Sequence, residues 1–131
     1  AEAVLREMLG GEYGERATSR LARLVYQRGD YAAALGLFRS LPGSPENLDR
    51  VAMCLHMLTR TDEAVAIQRA VVAAEPDWPT GLINLAVMLA SKGELDESER
   101  LLTRALELDP ENVTATVNLE SLRRARDAAG R

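Results

Sequence analysis

An internal period restricts this chain more than any other feature. Asp62-Glu63 recurs as Asp96-Glu97, and Glu75-Pro76 as Asp109-Pro110, each 34 residues later. Leu48, Val51, Ala52 and Leu55 return as Leu82, Leu85, Ala86 and Leu89 at the same shift. An earlier copy, Thr18, Leu21, Ala22 and Val25, stands 30 residues upstream of the middle one. All of these repeated core positions except Thr18 are apolar. A unit of this size cannot bury its apolar face alone, so the copies must stack on one another.

The spacing i, i+3, i+4, i+7 within each copy is one face of an α-helix. It predicts first helices over about 15–28, 45–58 and 79–92. Pro45 and Pro79 open two of them, where the missing N–H costs nothing, and Ser44 is placed to cap the second. Gly29 and Gly93 end the first and third. Second helices follow at about 31–40, 62–74 and 96–108. The last two begin with adjacent acids, which suit the positive end of a helix dipole, and stop before Pro76 and Pro110.

The set Leu82, Leu85, Ala86, Leu89, Gly93, Ser98, Leu102, Ala105 and Pro110 resembles the tetratricopeptide repeat family. So do the small-residue columns Ala22/Ala52/Ala86 and Ala34/Ala64 and the turn Gly29-Asp30-Tyr31. The resemblance covers residues 15–112. It implies an all-α, right-handed superhelical array of three helix–turn–helix units with a capping helix at each end. On this reading 1–131 is one domain: 1–14 an N-terminal helix or the remnant of an upstream repeat, then repeats at 15–44, 45–78 and 79–112, and 113–131 a capping helix with a basic tail. Leu48, Leu82 and Gln68 stand where the family carries aromatics, which predicts an aliphatic core and looser packing around Gln68.

The first copy is four residues short near Leu41-Pro42-Gly43-Ser44, one helical turn. This is either a tolerated shortening or a change of curvature that widens the surface between the first two units. Glu120 stands where earlier units have Ala22, Ala52 and Ala86. A carboxylate there is too costly to desolvate in a tight helix pair, so the last helix should be a cap with one face in water. Arg123-Arg124-Ala125-Arg126 reads as a solvated basic end. Val4, Leu5, Met8 and Leu9 share one helical side, either as an N-terminal cap or as the last helix of an earlier unit.

Composition closes off several functions. Hydrophobic residues are 47% and charged residues 27%, a globular profile. Twenty acids against 16 bases give net charge −4, which argues against a nucleic-acid partner. No apolar run approaches the ~20 residues that span a bilayer, so no membrane insertion is expected. No basic-then-apolar leader is present; cytoplasm is the default compartment and periplasm the alternative. Arg in large excess over Lys hints at a GC-rich bacterial source. The single cysteine, Cys54, excludes an internal disulfide, and it aligns with the apolar Leu24 and Met88 as a small buried hydrophobe. His56 and Cys54 are two residues apart and diverge on a helix, which excludes a joint metal site. With no phosphate loop, nucleophile elbow or ligand cluster, neither enzyme activity nor a cofactor or metal is expected.

Function is then sought on the faces the core leaves over. The arc opposite the core carries Arg16, Ser19, Arg20, Arg23, Tyr26 and Gln27 in the first unit. The second offers Glu46, Asp49, Arg50, Met53, His56 and Met57, and the third Thr80, Ile83, Asn84, Val87, Ala90 and Ser91. Charge runs from basic through mixed to apolar, and Met53, Met57, Ile83 and Val87 are expected to form an exposed contact patch. The resemblance implies that these first helices line an inner face that receives a peptide or partner segment. The expected binding residues are Arg16, Arg20, Arg23 and Arg50 for acidic groups, Tyr26, Met53, Met57 and Val87 for apolar contact, and Asn84 and Asn118 for a partner's backbone. Family members that hold acidic chaperone tails use a clamp of Lys, Asn and Arg. Ser19, Arg23, Arg50, Thr80 and Asn84 stand there instead, which speaks against a chaperone tail. The alternatives are a homo-oligomer formed through the terminal helix or open N-terminal end, and a docking domain of a larger enzyme or secretion complex.

Overall fold

The computed structural model describes residues 11–130, which form seven helices and no strand. They are α1 (Gly11–Gln27), α2 (Tyr31–Arg39), α3 (Pro45–Met57), α4 (Thr61–Ala74), α5 (Pro79–Ser91), α6 (Leu95–Leu108) and α7 (Val113–Ala129). The expectations for Val4, Leu5, Met8 and Leu9 lie outside the described residues.

Local chemistry sets the helix ends. The Ser44 side chain accepts from the Asn47 N–H with Pro45 next in line, and Asp30 and Asn112 cap α2 and α7 likewise. Asp62 and Glu63 occupy the first turn of α4, and Asp96 and Glu97 that of α6. Each hairpin turns through one residue with positive φ: Gly29 at 86°, Thr59 at 63° and Gly93 at 82°. The amide after it bonds back to the helix in all three, Asp30 to Val25, Arg60 to Leu55 and Glu94 to Leu89.

α1/α2, α3/α4 and α5/α6 pack as hairpins, each helix also packs on the next, and α7 closes the array on α6 and α5. Ala22, Ala52 and Ala86, with Ala34 and Ala64, expose no surface, so the hairpins close on small side chains. The core has two parts: Phe38, Val51, Leu55, Leu85, Met88 and Leu89 among its larger members, then Leu82, Ile83, Leu102, Leu119 and Leu122 beneath α7. Glu120 is exposed while Ala115, Leu119 and Leu122 of the same helix are buried, as a capping helix requires. Leu21 and Leu24 are exposed, although their counterparts Val51, Cys54, Leu85 and Met88 are buried. Those counterparts lie beneath the hairpin that precedes them, and no described hairpin precedes α1.

α2 has nine residues where α4 and α6 have 14. α3 packs directly on α5, and α5 on α7, while α1 is not packed on α3 to that extent. The first helices therefore run along one side of the array, with an opening between α1 and its neighbours.

Candidate functional site

That opening is a groove of about 380 Å³. α1 supplies Ser19, Arg23 and Tyr26; α3 supplies Glu46, Asn47, Asp49, Arg50 and Met53; α5 supplies Thr80 and Asn84. Phe38 and Trp78 complete the lining. Trp78 precedes α5 and lies against Gly81, where an added Cβ would meet its ring at 3.0 Å. Only a residue without a side chain lets the indole approach the helix this closely.

Among the described residues, some basic side chains are ion-paired, and others, in the groove and outside it, are not. Arg60, Arg69, Lys92, Arg104, Arg123 and Arg126 each reach a carboxylate within 4.0 Å. Arg23 and Arg50 have no such partner among the described residues. The nearest buried acid, Asp49, is already taken: its carboxylate accepts from Gln68 Nε2 at 2.6 Å and from Asn84 Nδ2 at 3.0 and 3.1 Å. Burial raises the Asp49 pKa, opposed by those hydrogen bonds and by Arg50. Burial likewise raises Tyr26, whose ring meets Tyr31 edge-on at 5.0 Å.

The structure brings together Arg23, Tyr26, Arg50, Met53 and Asn84 of the expected binding residues. Val87 and Asn118 line a second, more apolar pocket of about 220 Å³, walled by Ala86, Ala90, Leu95, Leu102, Leu122 and Ala125. Arg16, Arg20 and Met57 line neither pocket. Two expectations fail outright. Ile83 is 4% exposed and belongs to the cluster under α7, and Asp49 is 3% exposed. The arc opposite a hairpin partner is not free when the next unit's first helix packs across its edge.

Asn84 lines the groove with its amide N–H groups already engaged by Asp49, which leaves its amide oxygen over. Gln68 is fully buried, and its Nε2 bonds both Asp49 and the Gly81 carbonyl, so a polar network stands where loose packing was expected. Sequence reasoning missed Phe38, Asn47 and Trp78. The only signal for the last is the pair Trp78-Pro79 followed closely by the bare Gly81. Cys54 is buried with its thiol pushed up to about 11, which makes it unreactive. Among the described residues no three His, Cys, Asp or Glu side chains gather as a metal site, and no helix is long and apolar enough to cross a membrane.

Stacked helical hairpins with a groove along their first helices define a helical repeat protein. Residues 79–112 match the tetratricopeptide repeat family, and the described chain has the fold of a tetratricopeptide repeat domain. No curated protein matches it in sequence. Among solved structures it is similar to the Sgt2 TPR domain from Aspergillus fumigatus, at 12% identity and TM-score 0.81, covering 93% of this chain and 85% of that one. The first TPR of Spaghetti (RPAP3), bound to the HSP90 peptide SRMEEVD, matches at 19% identity and TM-score 0.76, covering 86% and 93%. The Yersinia enterocolitica type III secretion chaperone SycD, in complex with a peptide of the translocator YopD, matches at 22% identity and TM-score 0.72, covering 85% and 93%.

Proposed function

We propose that this chain is a non-catalytic protein-interaction module that binds an acidic peptide segment of a partner in the groove along α1, α3 and α5. The observation that carries this reading is the convergence of Arg23 and Arg50 on one concave site, where neither is ion-paired among the described residues although Glu46 and the internally bonded Asp49 also line it. A partner's carboxylate supplies the missing charge through charge-assisted hydrogen bonds. Tyr26, Met53 and Trp78 add apolar contact. Two structurally similar domains hold peptides, one of them the acidic SRMEEVD.

The apolar pocket extends the same site. Thr80 and Asn84 face the groove while Val87 and Ala90 face the pocket, so their centres lie roughly 10 Å apart along α5 at ~1.5 Å per residue. An extended chain covers that distance in about three residues. A segment that reaches both therefore carries an aliphatic side chain about three or more positions from its acidic group.

An array of synthetic nonapeptides, acidic and neutral, with and without an aliphatic residue at that spacing, tests the reading by fluorescence anisotropy. Acidic peptides should bind best at low salt, and Arg23→Glu with Arg50→Glu should weaken them at least tenfold. Arg20→Glu, outside the groove, should matter much less. Equal binding of neutral peptides, or no effect of the groove reversals, removes the reading. A second reading, self-association, is favoured by the exposed Leu21 and Leu24 of α1. A mass by light scattering that rises with concentration supports it, and a constant monomer mass ends it.

A further inference from the structure

Phe38, Gln68 and Leu102 are one column of the repeat, and all three are buried. A glutamine in an apolar column needs partners for its amide. Gln68 Nε2 finds them in Asp49 Oδ1 at 2.6 Å and the Gly81 carbonyl at 3.0 Å. The same carboxylate takes Asn84 Nδ2 at both of its oxygens. An ionised carboxylate only accepts, so each amide must turn its NH₂ group towards Asp49. The orientation of Asn84 thus follows from the charge behind it.

With Nδ2 inward, Asn84 Oδ1 is left over. It has no hydrogen-bond donor among the described residues, yet the one buried side-chain polar atom without a partner among them is Gln68 Oε1. Asn84 Oδ1 is therefore accessible, on a residue that lines the groove. We propose that Asp49, held by Gln68, is a positioning residue that fixes Asn84 as a hydrogen-bond acceptor for a main-chain N–H of an extended peptide. This rests on the groove being the peptide site.

The surroundings select the donor. Arg23 and Arg50 line the same groove and repel a cationic side chain, so the acceptor takes a neutral N–H. A helical peptide uses its N–H groups internally beyond the first turn, whereas an extended one offers them to a partner. The charged and titratable groups that line the groove with Asp49 are Arg23 and Tyr26 from α1 and Glu46 and Arg50 on its own helix; Gln68 from α4 and Thr80 and Asn84 from α5 are uncharged. A proton on Asp49 turns one acceptor oxygen into a donor and releases Asn84 from its single orientation. Affinity should then fall as the medium becomes acidic.

The test uses the tightest peptide from the nonapeptide array, remade with each main-chain N–H in turn replaced by an ester oxygen. In the unmodified protein one replacement should weaken binding about fivefold, and in Asn84→Ala that same replacement should cost nothing further. Asp49→Asn should lose the coupling as well, and its affinity should fall less on acidification than the parent's, the remaining fall being the peptide's own carboxylate. In the free protein, the side-chain NH₂ resonances of Asn84 and Gln68 should titrate together, and cease to do so in Asp49→Asn. Amide titration without any Asn84-dependent ester effect overturns the positioning role and leaves Asp49 merely structural. If no arrayed peptide binds while the amides still titrate, the groove reading has failed, and the proposal falls with it.

Discussion

Replacing Thr59 with glycine should stabilise the protein, and the three hairpin turns show by how much. Thr59 adopts φ 63° at the point where the other two units use Gly29 at 86° and Gly93 at 82°. An L-residue in this left-handed region costs about 1–2 kcal/mol, and a β-branched one sits at the upper end. Glycine returns about 0.5–1 kcal/mol of that through the larger entropy of its unfolded chain. The Thr59 hydroxyl bond to the Leu58 carbonyl, 2.6 Å long, is exposed and is replaced by water. Thr59→Gly should therefore gain about 0.5–1 kcal/mol, a rise in Tm of about 2–5 °C for a chain of this size. Urea unfolding followed by circular dichroism should show a higher midpoint at an unchanged slope. The converse, Gly93→Thr, should lose a similar amount, because an added Cβ at Gly93 meets nothing within 4 Å and only the backbone term remains. A neutral or destabilising Thr59→Gly alongside a harmless Gly93→Thr would refute the conformational account.

Three further outcomes follow from packing and burial. Ala86→Leu should cost about 1–3 kcal/mol by overpacking, since Ala86 exposes no surface and its carbonyl accepts from Ser98 at 2.8 Å; denaturant titration checks it, and a neutral result would mean the helices are not close there. Cys54 should resist alkylation by iodoacetamide at pH 8 in the native state and react on unfolding, because its thiol is buried and pushed up to about 11; rapid native labelling would contradict its placement. Burial lowers the His56 pKa from its ordinary 6.5, so the folded state resists the proton that the unfolded chain accepts. Its contribution to stability is lost as pH falls through 6.5 and fully lost below the folded value, and His56→Gln should flatten that part of the pH–stability curve.

Helix positions are legible in the sequence because their signals are local. Pro45, Pro79, Ser44 and the acid pairs act within one turn of themselves, and the alanine columns repeat the same contact in each unit. The site is legible only in part. A helical arc measured against one hairpin partner assigns Arg23, Tyr26, Arg50, Met53 and Asn84 correctly to the groove, but it cannot see a third helix. For that reason Ile83 and Asp49 read as surface. Phe38 belongs to a second helix and Trp78 to a connection, so neither falls on a first-helix arc at all. The network of Gln68, Asp49 and Asn84 joins residues 19 and 35 positions apart, a separation with no local signature. Its one visible trace is a glutamine in an apolar column.

That network also decides how the array comes apart. Arrays of stacked units tend to fray one unit at a time from either end, each losing only its nearest-neighbour contact. Here the middle hairpin and the helix that opens the third are bolted through one sequestered anion, so peeling α5 away strips two of its hydrogen bonds while the charge is still enclosed. The seam between the second and third units should be the last to part, and hydrogen exchange at α3 and α5 the slowest to report it.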